Sequence, residues 1–474
     1  MRIIFVLSVL MFITSCANTT NFTGVNTKAE SNIPPSIYVV KNVNIIPMTE
    51  NNEIINNATV VINGNRIVGI NGEIPMDAKV IDGSGKWLIP GLMDMHIHGV
   101  TDANFRSQKP TQGANVFFDT QDMMTPYVAN GVTTVFDLNA RPDNFGQRND
   151  IIKGQAIGPR IAFAKLLDGG NGVNKVNSPS DGRQAVRSAK ADGYGFIKTY
   201  SNLTDDTFFA IVDEAQKQNL KVLGHIPNAF DGKVKEAFVP NFSLVAHAEE
   251  FAKWASNSSY DEALNLSRMA KNNNTWVSPT LTVMVWIERH LRSLENVQQL
   301  TTLKYMHPMF QDKWVNHNRK NNQSTPEFIA HVEQIIEFNK KLVKALIEVG
   351  VPIVVGTDAM STGVVPGFSL HDELALLVEA GMSPEQVLIS ATRLPAQWLG
   401  IANDVGTVEE GKYADLILLD ENPIDDIKNS TKIAGVFVNG TWLSKNKIDT
   451  MLLNLEKSNL QIKDKFKWRN RRKY

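Results

Sequence analysis

Leu92-Met93-Asp94-Met95-His96-Ile97-His98 is the stretch on which the reading of the chain turns. From Met93 onward, apolar and polar residues alternate with period two. That is the pattern of a β-strand whose successive side chains point to opposite faces. Asp94, His96 and His98 therefore share a face, expected to look into a barrel mouth. Two imidazoles at i and i+2 can chelate one metal ion, because the neutral ring offers a lone pair near neutral pH. Taken alone, His-x-His is a weak signal. It gains weight only if ionisable residues from other strands reach the same place.

Seven more short apolar runs occur along the chain, at 133–137, 160–164, 195–200, 221–225, 243–247, 275–278 and 352–356, with helical patterns between them. Alternating strands and helices mark a parallel α/β architecture. Eight strands over about 310 residues suit a (β/α)8 TIM barrel with insertions. An open doubly wound sheet is disfavoured, since no glycine-rich phosphate turn follows the first strand. Ionisable residues close several runs in turn. Lys198 lies inside Phe196-Ile197-Lys198-Thr199-Tyr200, His225 follows Val222-Leu223-Gly224, His247 follows Leu244-Val245-Ala246, and Asp358 follows Val354-Val355-Gly356-Thr357. Each alone reads more simply as a hydrogen-bonded barrel residue. As a set they point to one site, because barrel strand ends converge.

The flanks are β-rich. Asn63-Gly64 separates the runs 59–62 and 66–70, and Asn439-Gly440 separates 435–438 and 441–443; both are hairpin signals. Residues 37–89 and 403–445 are expected to pair into a small composite β-sandwich, with the barrel at 90–402 and a helical, basic tail at 446–474. The long stretch 279–351 reads as part lid, part barrel helix.

Composition bounds the partners. The chain has 474 residues, 43% hydrophobic and 20% charged, and a net charge of −1, which gives no electrostatic reason to expect nucleic acid. Met1-Arg2, an apolar run at 3–13 and Thr14-Ser15-Cys16 read as a secretory signal too short to span a membrane. Ile13-Thr14-Ser15-Cys16 resembles the bacterial lipoprotein cleavage box. That resemblance makes Cys16, the sole cysteine, the lipidated first residue of an exported protein facing the periplasm. Ala17 rather than aspartate after it points to the outer membrane. Residues 17–36 read as a flexible tether.

The combined motifs resemble the amidohydrolase superfamily, in its imidazolonepropionase-related and prolidase-like branch. The first-strand signature is Ile89-Pro90-Gly91-Leu92-Met93-Asp94-Met95-His96-Ile97-His98-Gly99. Gly131-Val132-Thr133-Thr134-Val135 and Gly158-Pro159-Arg160 resemble the second and third strands, and Gly356-Thr357-Asp358 the eighth. Gly406-Thr407-Val408-Glu409-Glu410-Gly411-Lys412-Tyr413-Ala414-Asp415-Leu416 resembles the return to the β domain. The likeness spans about 37–445. It implies two divalent metal ions, with zinc expected: His96, His98 and Asp358 on the more buried ion, His225 and His247 on the second, and Lys198 as a carboxylated bridge. A metal-bridging hydroxide would then attack a carbonyl, and Asp358 would carry the proton to the leaving nitrogen of an amide, cyclic amide or dipeptide. A plain Lys198 beside one metal is the alternative, as in mononuclear deaminases and imidazolonases. Lactonase or phosphotriesterase-like hydrolysis, and a non-catalytic binding lipoprotein, are further alternatives. A homo-oligomer is compatible with the resemblance.

Secondary candidates are weaker. Tyr200 shares a face with Lys198 and is a candidate substrate contact, as is Asn171 in Asp168-Gly169-Gly170-Asn171-Gly172. Prolidase-like relatives often carry histidine at the latter place, so the departure puts peptide-carboxylate specificity in doubt. His371 reads as structural, and His290, His307, His317 and His331 as lid or surface residues. The tail from Lys463 to Tyr474 carries seven basic residues and reads as solvated, with contact to anionic lipid as the alternative.

Overall fold

The structure, a computed structural model, describes residues 36–103, 105–106, 113–170 and 174–474. Cys16, most of the tether and Asn171 lie outside the described residues.

Both ends of the chain build one sheet. The strands β1 (Ile37–Ile45), β2 (Ile55–Asn63), β3 (Arg66–Ile70), β4 (Lys79–Asp82) and β5 (Trp87–Pro90) come first. Next in sequence are the barrel strands β6 (Leu92–Ile97), β7 (Val132–Asp137), β8 (Arg160–Leu167), β9 (Phe196–Thr199), β10 (Lys221–Gly224), β11 (Phe242–Ala246) and β12 (Trp276–Ser278). The chain returns to the small sheet with β13 (Leu416–Leu419), β14 (Ile433–Val438) and β15 (Thr441–Ser444). The small sheet runs β15-β14-β13-β5-β1-β2-β3, with β4 also paired to β1. Both Asn-Gly turns lie where expected, between β2 and β3 and between β14 and β15. The expected sandwich takes the form of one curled sheet. Its β3 edge bonds the chain entering β13, with Ile67 N donating to Lys412 O at 2.9 Å. The curl encloses Val40, Ile62, Leu416 and Phe437.

Strands β6 to β12 are parallel and ordered in sequence. Helices such as Thr120–Ala129, Pro179–Ala191, Asp205–Lys217 and Tyr260–Asn272 alternate with them. The eighth position, 352–359, forms isolated bridges from Ile353 to Val277 of β12 and from Ala359 to Ile97 of β6. It carries no continuous ladder because Val355 N donates to Ser390 O instead of to a strand. The barrel is therefore closed by a segment whose irregularity lies beside Asp358.

The insertion packs in two places, against the barrel and over its mouth. Helix Pro326–Val349 is started by Thr325, whose side chain accepts from Phe328 N, and by Pro326; it is stopped by Gly350 in the left-handed conformation. Its later residues Phe338, Leu342 and Leu346 join the barrel core. Its earlier Val332 packs into a second cluster with Trp286, Met309, Phe310 and Trp314, above the barrel mouth.

The tail departs from expectation. Helix Lys445–Ile462 packs back on the protein, with Ser458 Oγ donating to Asp122 at 3.2 Å. Phe466, Trp468 and Tyr474 then enter the cluster above the mouth. Three aromatic rings among the basic residues bury apolar area that a solvated tail would leave in water.

Candidate active site

Five segments deliver the predicted ligands to one place. His96 comes from β6, Lys198 from β9, His225 from just past β10, His247 from just past β11, and Asp358 from the closing segment. His96 Nε2 lies 3.3 Å and His98 Nε2 2.8 Å from Asp358 Oδ1. Lys198 Nζ lies 3.0 Å from His96 Nε2. The rings of His96 and His247 are 4.5 Å apart, and those of His225 and His247 4.8 Å.

The backbone is bent to make this fit. His247 (φ 81°), Thr280 (φ 49°) and Asp358 (φ 60°) all adopt the left-handed region, which non-glycine residues seldom occupy. Such strain persists only where the surroundings over-determine it, and functional sites are where it gathers. Gly356 has a different reason for being glycine: a Cβ there would meet Ser278 Oγ at 2.5 Å and His96 Cβ at 2.9 Å.

Second partners orient the rings. Glu250 Oε1 is 2.7 Å from His225 Nδ1, and Thr280 Oγ1 is 2.7 Å from His247 Nδ1, which leaves Nε2 as the free nitrogen of each ring. Burial lowers the His225 imidazole although Glu250 opposes it, and it lowers His247 and His96 further. These rings are therefore neutral, the form that donates a lone pair. Burial also pushes the Lys198 amine down to about 8. The Asp358 carboxyl is lowered as well: burial would raise it, but His98, 2.8 Å from Oδ1, holds it well below the usual range.

These residues fit a cation. His96, His247 and Asp358 offer ligand atoms within 4.8 Å of one another. Asp358 Oδ1 is buried without a hydrogen bond although two ring nitrogens approach it, and His96 Nδ1 is also unpartnered. Orphaned polar atoms crowded together are costly unless something satisfies them. Lys198, on β9, stands between the two histidine pairs in the barrel order.

Asp94 is corrected by the structure. It shares the face of His96 and His98 but lies deeper, and does not line the mouth. Thr357 N and Thr357 Oγ1 donate to its carboxylate at 3.0 and 2.7 Å, as does His96 N at 3.2 Å. It ties β6 to the closing segment. Tyr200 does line the cavity, with its ring 4.2 Å from that of His225. His371 is structural: Nδ1 lies 2.9 Å from Ser430 Oγ and Nε2 3.2 Å from Asn130 O.

Above the ligands is a cavity of about 910 Å³. Sequence reasoning missed several of its walls. Glu249, His290, Lys313, Arg319, Lys320 and Arg471 all face it. His290, expected at a lid surface, is 2% exposed, with both ring nitrogens unpartnered. No periodic signal could have found these residues. A hint existed only for Glu250, an acid three residues past a strand-end histidine.

Residues 87–443 match the model of the Amidohydrolase family. The chain belongs to that family. It is 22% identical to the imidazolonepropionase of Thermoplasma volcanium over 425 residues, 82% of this chain and 91% of that protein. The match to the imidazolonepropionase of Shouchella clausii is a short segment, 38% identical over 82 residues, 16% of this chain and 17% of that protein's length. Among solved structures, bottromycin amidohydrolase superposes with a TM-score of 0.69 at 20% identity, covering 89% of this chain and 90% of that one. A Xaa-Pro dipeptidase with methionine bound in its active site superposes with a TM-score of 0.64 at 22% identity, covering 86% and 100%. These likenesses agree with the barrel and the β-sheet domain described above.

Proposed function

We propose that this amidohydrolase cleaves the C–N bond of an amide, cyclic amide or dipeptide at a two-metal centre. The observation that carries the reading is Asp358 Oδ1, buried and orphaned between His96 and His98 at the convergence of five barrel segments. Family membership, and the likeness to amide-cleaving proteins, supports the bond type.

His96, His98 and Asp358 would hold the more buried ion and His225 and His247 the second. Zinc suits these imidazole and carboxylate donors. Lys198, carboxylated, would bridge them. An amine lowered to about 8 by burial is partly uncharged near neutrality, and the uncharged form adds to carbon dioxide. An N–C bond forms, a proton leaves, and a poor cationic ligand becomes an anion. Divalent ions, when bound, supply an acidified water and a Lewis acid for the carbonyl. The chain's own residues do the rest. Asp358 takes the proton released as water adds and returns it to the leaving nitrogen, while Ser361 Oγ, 2.7 Å from Oδ2, fixes the carboxylate. Burial keeps the Tyr200 phenol protonated, so it can donate to the developing oxyanion.

A one-metal centre is the second reading, since His96, His247 and Asp358 alone suffice for one ion. Metal content per chain for wild type and Lys198→Ala separates the two. About two ions falling to one or fewer supports the bridged centre; one ion in both proteins defeats it. We also propose export and anchoring through a lipidated Cys16, supported by the sequence of residues 1–16 alone.

A further inference from the structure

The C-terminal segment 466–474 lies beyond the family match, which ends at 443, yet it supplies Trp468 and Arg471 to the wall of the cavity. It is held there firmly. Trp468 N donates to Asp312 Oδ2 at 2.7 Å, Asn115 Nδ2 donates to Tyr474 O at 2.8 Å, and Lys467 N donates to the Tyr474 hydroxyl at 2.6 Å. The Phe466 ring lies 4.8 Å from His307 and 5.2 Å from Tyr474.

What the segment brings to the wall is charge on an aromatic plate. The Arg471 guanidinium lies 4.4 Å and the Lys313 ammonium 5.0 Å from the Trp468 ring centre. Arg319 also lines the cavity. Burial first, and then the charges of Arg471 and Arg319, hold the Lys313 amine below its ordinary range, so the three cations are close enough to repel. Among the described residues, none of the three has a carboxylate within ion-pair distance. Asp312, the neighbouring acid, is committed to Trp468 N and lies 3.5 Å from His317 Nε2. Lys320 is different, because Glu249 and Asp358 act on it. The same wall carries apolar surface from Phe105, Phe310 and Ile287.

We propose that the C-terminal segment is a specificity element. With residues 308–320 of the long insertion it forms a cationic recess in which Arg471, Lys313 and Arg319 hold a carboxylate of the substrate, while Trp468 packs against the apolar part. The proposal rests on the hydrolase reading for the site it serves. Like charges gathered without an acid are unfavourable until an anion completes them, and an arginine braced on an aromatic ring is pre-organised to receive one.

The test uses the metal-loaded full chain and two probes without a C–N bond: 4-phenylbutanoate and its neutral counterpart 4-phenylbutan-1-ol. Binding is measured by titration calorimetry for wild type, Arg471→Met, Lys313→Met, Arg472→Met and a chain ending at Lys465, after thermal melting has checked folding. Wild type is expected to prefer the carboxylate. Arg471→Met and Lys313→Met should each weaken it about tenfold or more, the loss of a charge-assisted contact, and leave the alcohol unchanged. The exposed Arg472→Met should change neither. The shortened chain should lose the preference, and if it fails to fold, the point variants decide. Equal binding of both probes, or a carboxylate insensitive to Arg471→Met because it sits on the metal ions instead, overturns the proposal. Because neither probe can be cleaved, failure to turn over any C–N substrate would defeat the hydrolase reading and leave this binding result standing.

Discussion

Glu373→Ala tests how the barrel supports its own site. Helix Leu281–Arg292 begins at Thr280, whose hydroxyl is committed to His247 and gives the helix no cap. Glu373, fully buried, caps it from another helix: Leu281 N and Thr282 N donate to its two oxygens at 2.9 and 2.7 Å. Removing the carboxylate orphans two buried donors, at about 1–3 kcal/mol each. An opposing effect is also present. Burial pushes this carboxyl from 4.5 up to about 7. At about 1.4 kcal/mol per unit, that penalty is on the order of 3 kcal/mol once the group is ionised. The folded value lies above the unfolded one. The titration therefore adds stability below pH 4.5, and that stability is lost as pH rises to about 7. Alanine has no such term. The variant should thus be destabilised more at pH 5 than at pH 8, by up to about 3 kcal/mol. Thermal melting at both pH values measures the difference, and hydrogen exchange of the peptide spanning 281–292 should rise in the variant. Unchanged exchange would refute the capping argument, and a larger destabilisation at pH 8 than at pH 5 would refute the burial-raised carboxyl.

Other tests reach different parts of the molecule. Glu250→Gln should weaken metal binding about 10- to 100-fold, because His225 loses the partner that fixes its ring; competition with a chromogenic chelator measures this. Burial lowers His371 to about 4. Its folded value lies below the unfolded one, so its contribution is present above about pH 6.5 and is lost as pH falls to 4, about 3 kcal/mol in all. His371→Gln should melt with a shallower acid slope across that window, and an unaltered slope would assign the acid sensitivity elsewhere. Cys16→Ser should move the protein from the membrane fraction to the soluble one, and a variant that stays with the membrane would remove the lipid anchor.

Local periodicity was enough for much of this protein. Alternation and short apolar runs located seven parallel strands and both Asn-Gly hairpins, because strand pattern and turn chemistry are properties of adjacent residues. The same logic named His96, Lys198, His225, His247 and Asp358, since a strand end in a barrel has only one place to point. What periodicity reports is a face, not a depth or a partner. Asp94 shares a face with His96 yet serves Thr357. Glu250, Thr280 and Glu373 act through contacts that exist only once the barrel closes. The basic tail is the clearest case. In sequence, its charges outweigh its three aromatic rings and read as solvated. In the fold, Phe466, Trp468 and Tyr474 find a complementary apolar surface more than a hundred residues away, and their burial brings Arg471 to the cavity wall. A chain's local pattern says which residues seek burial; which surface receives them depends on the assembled whole.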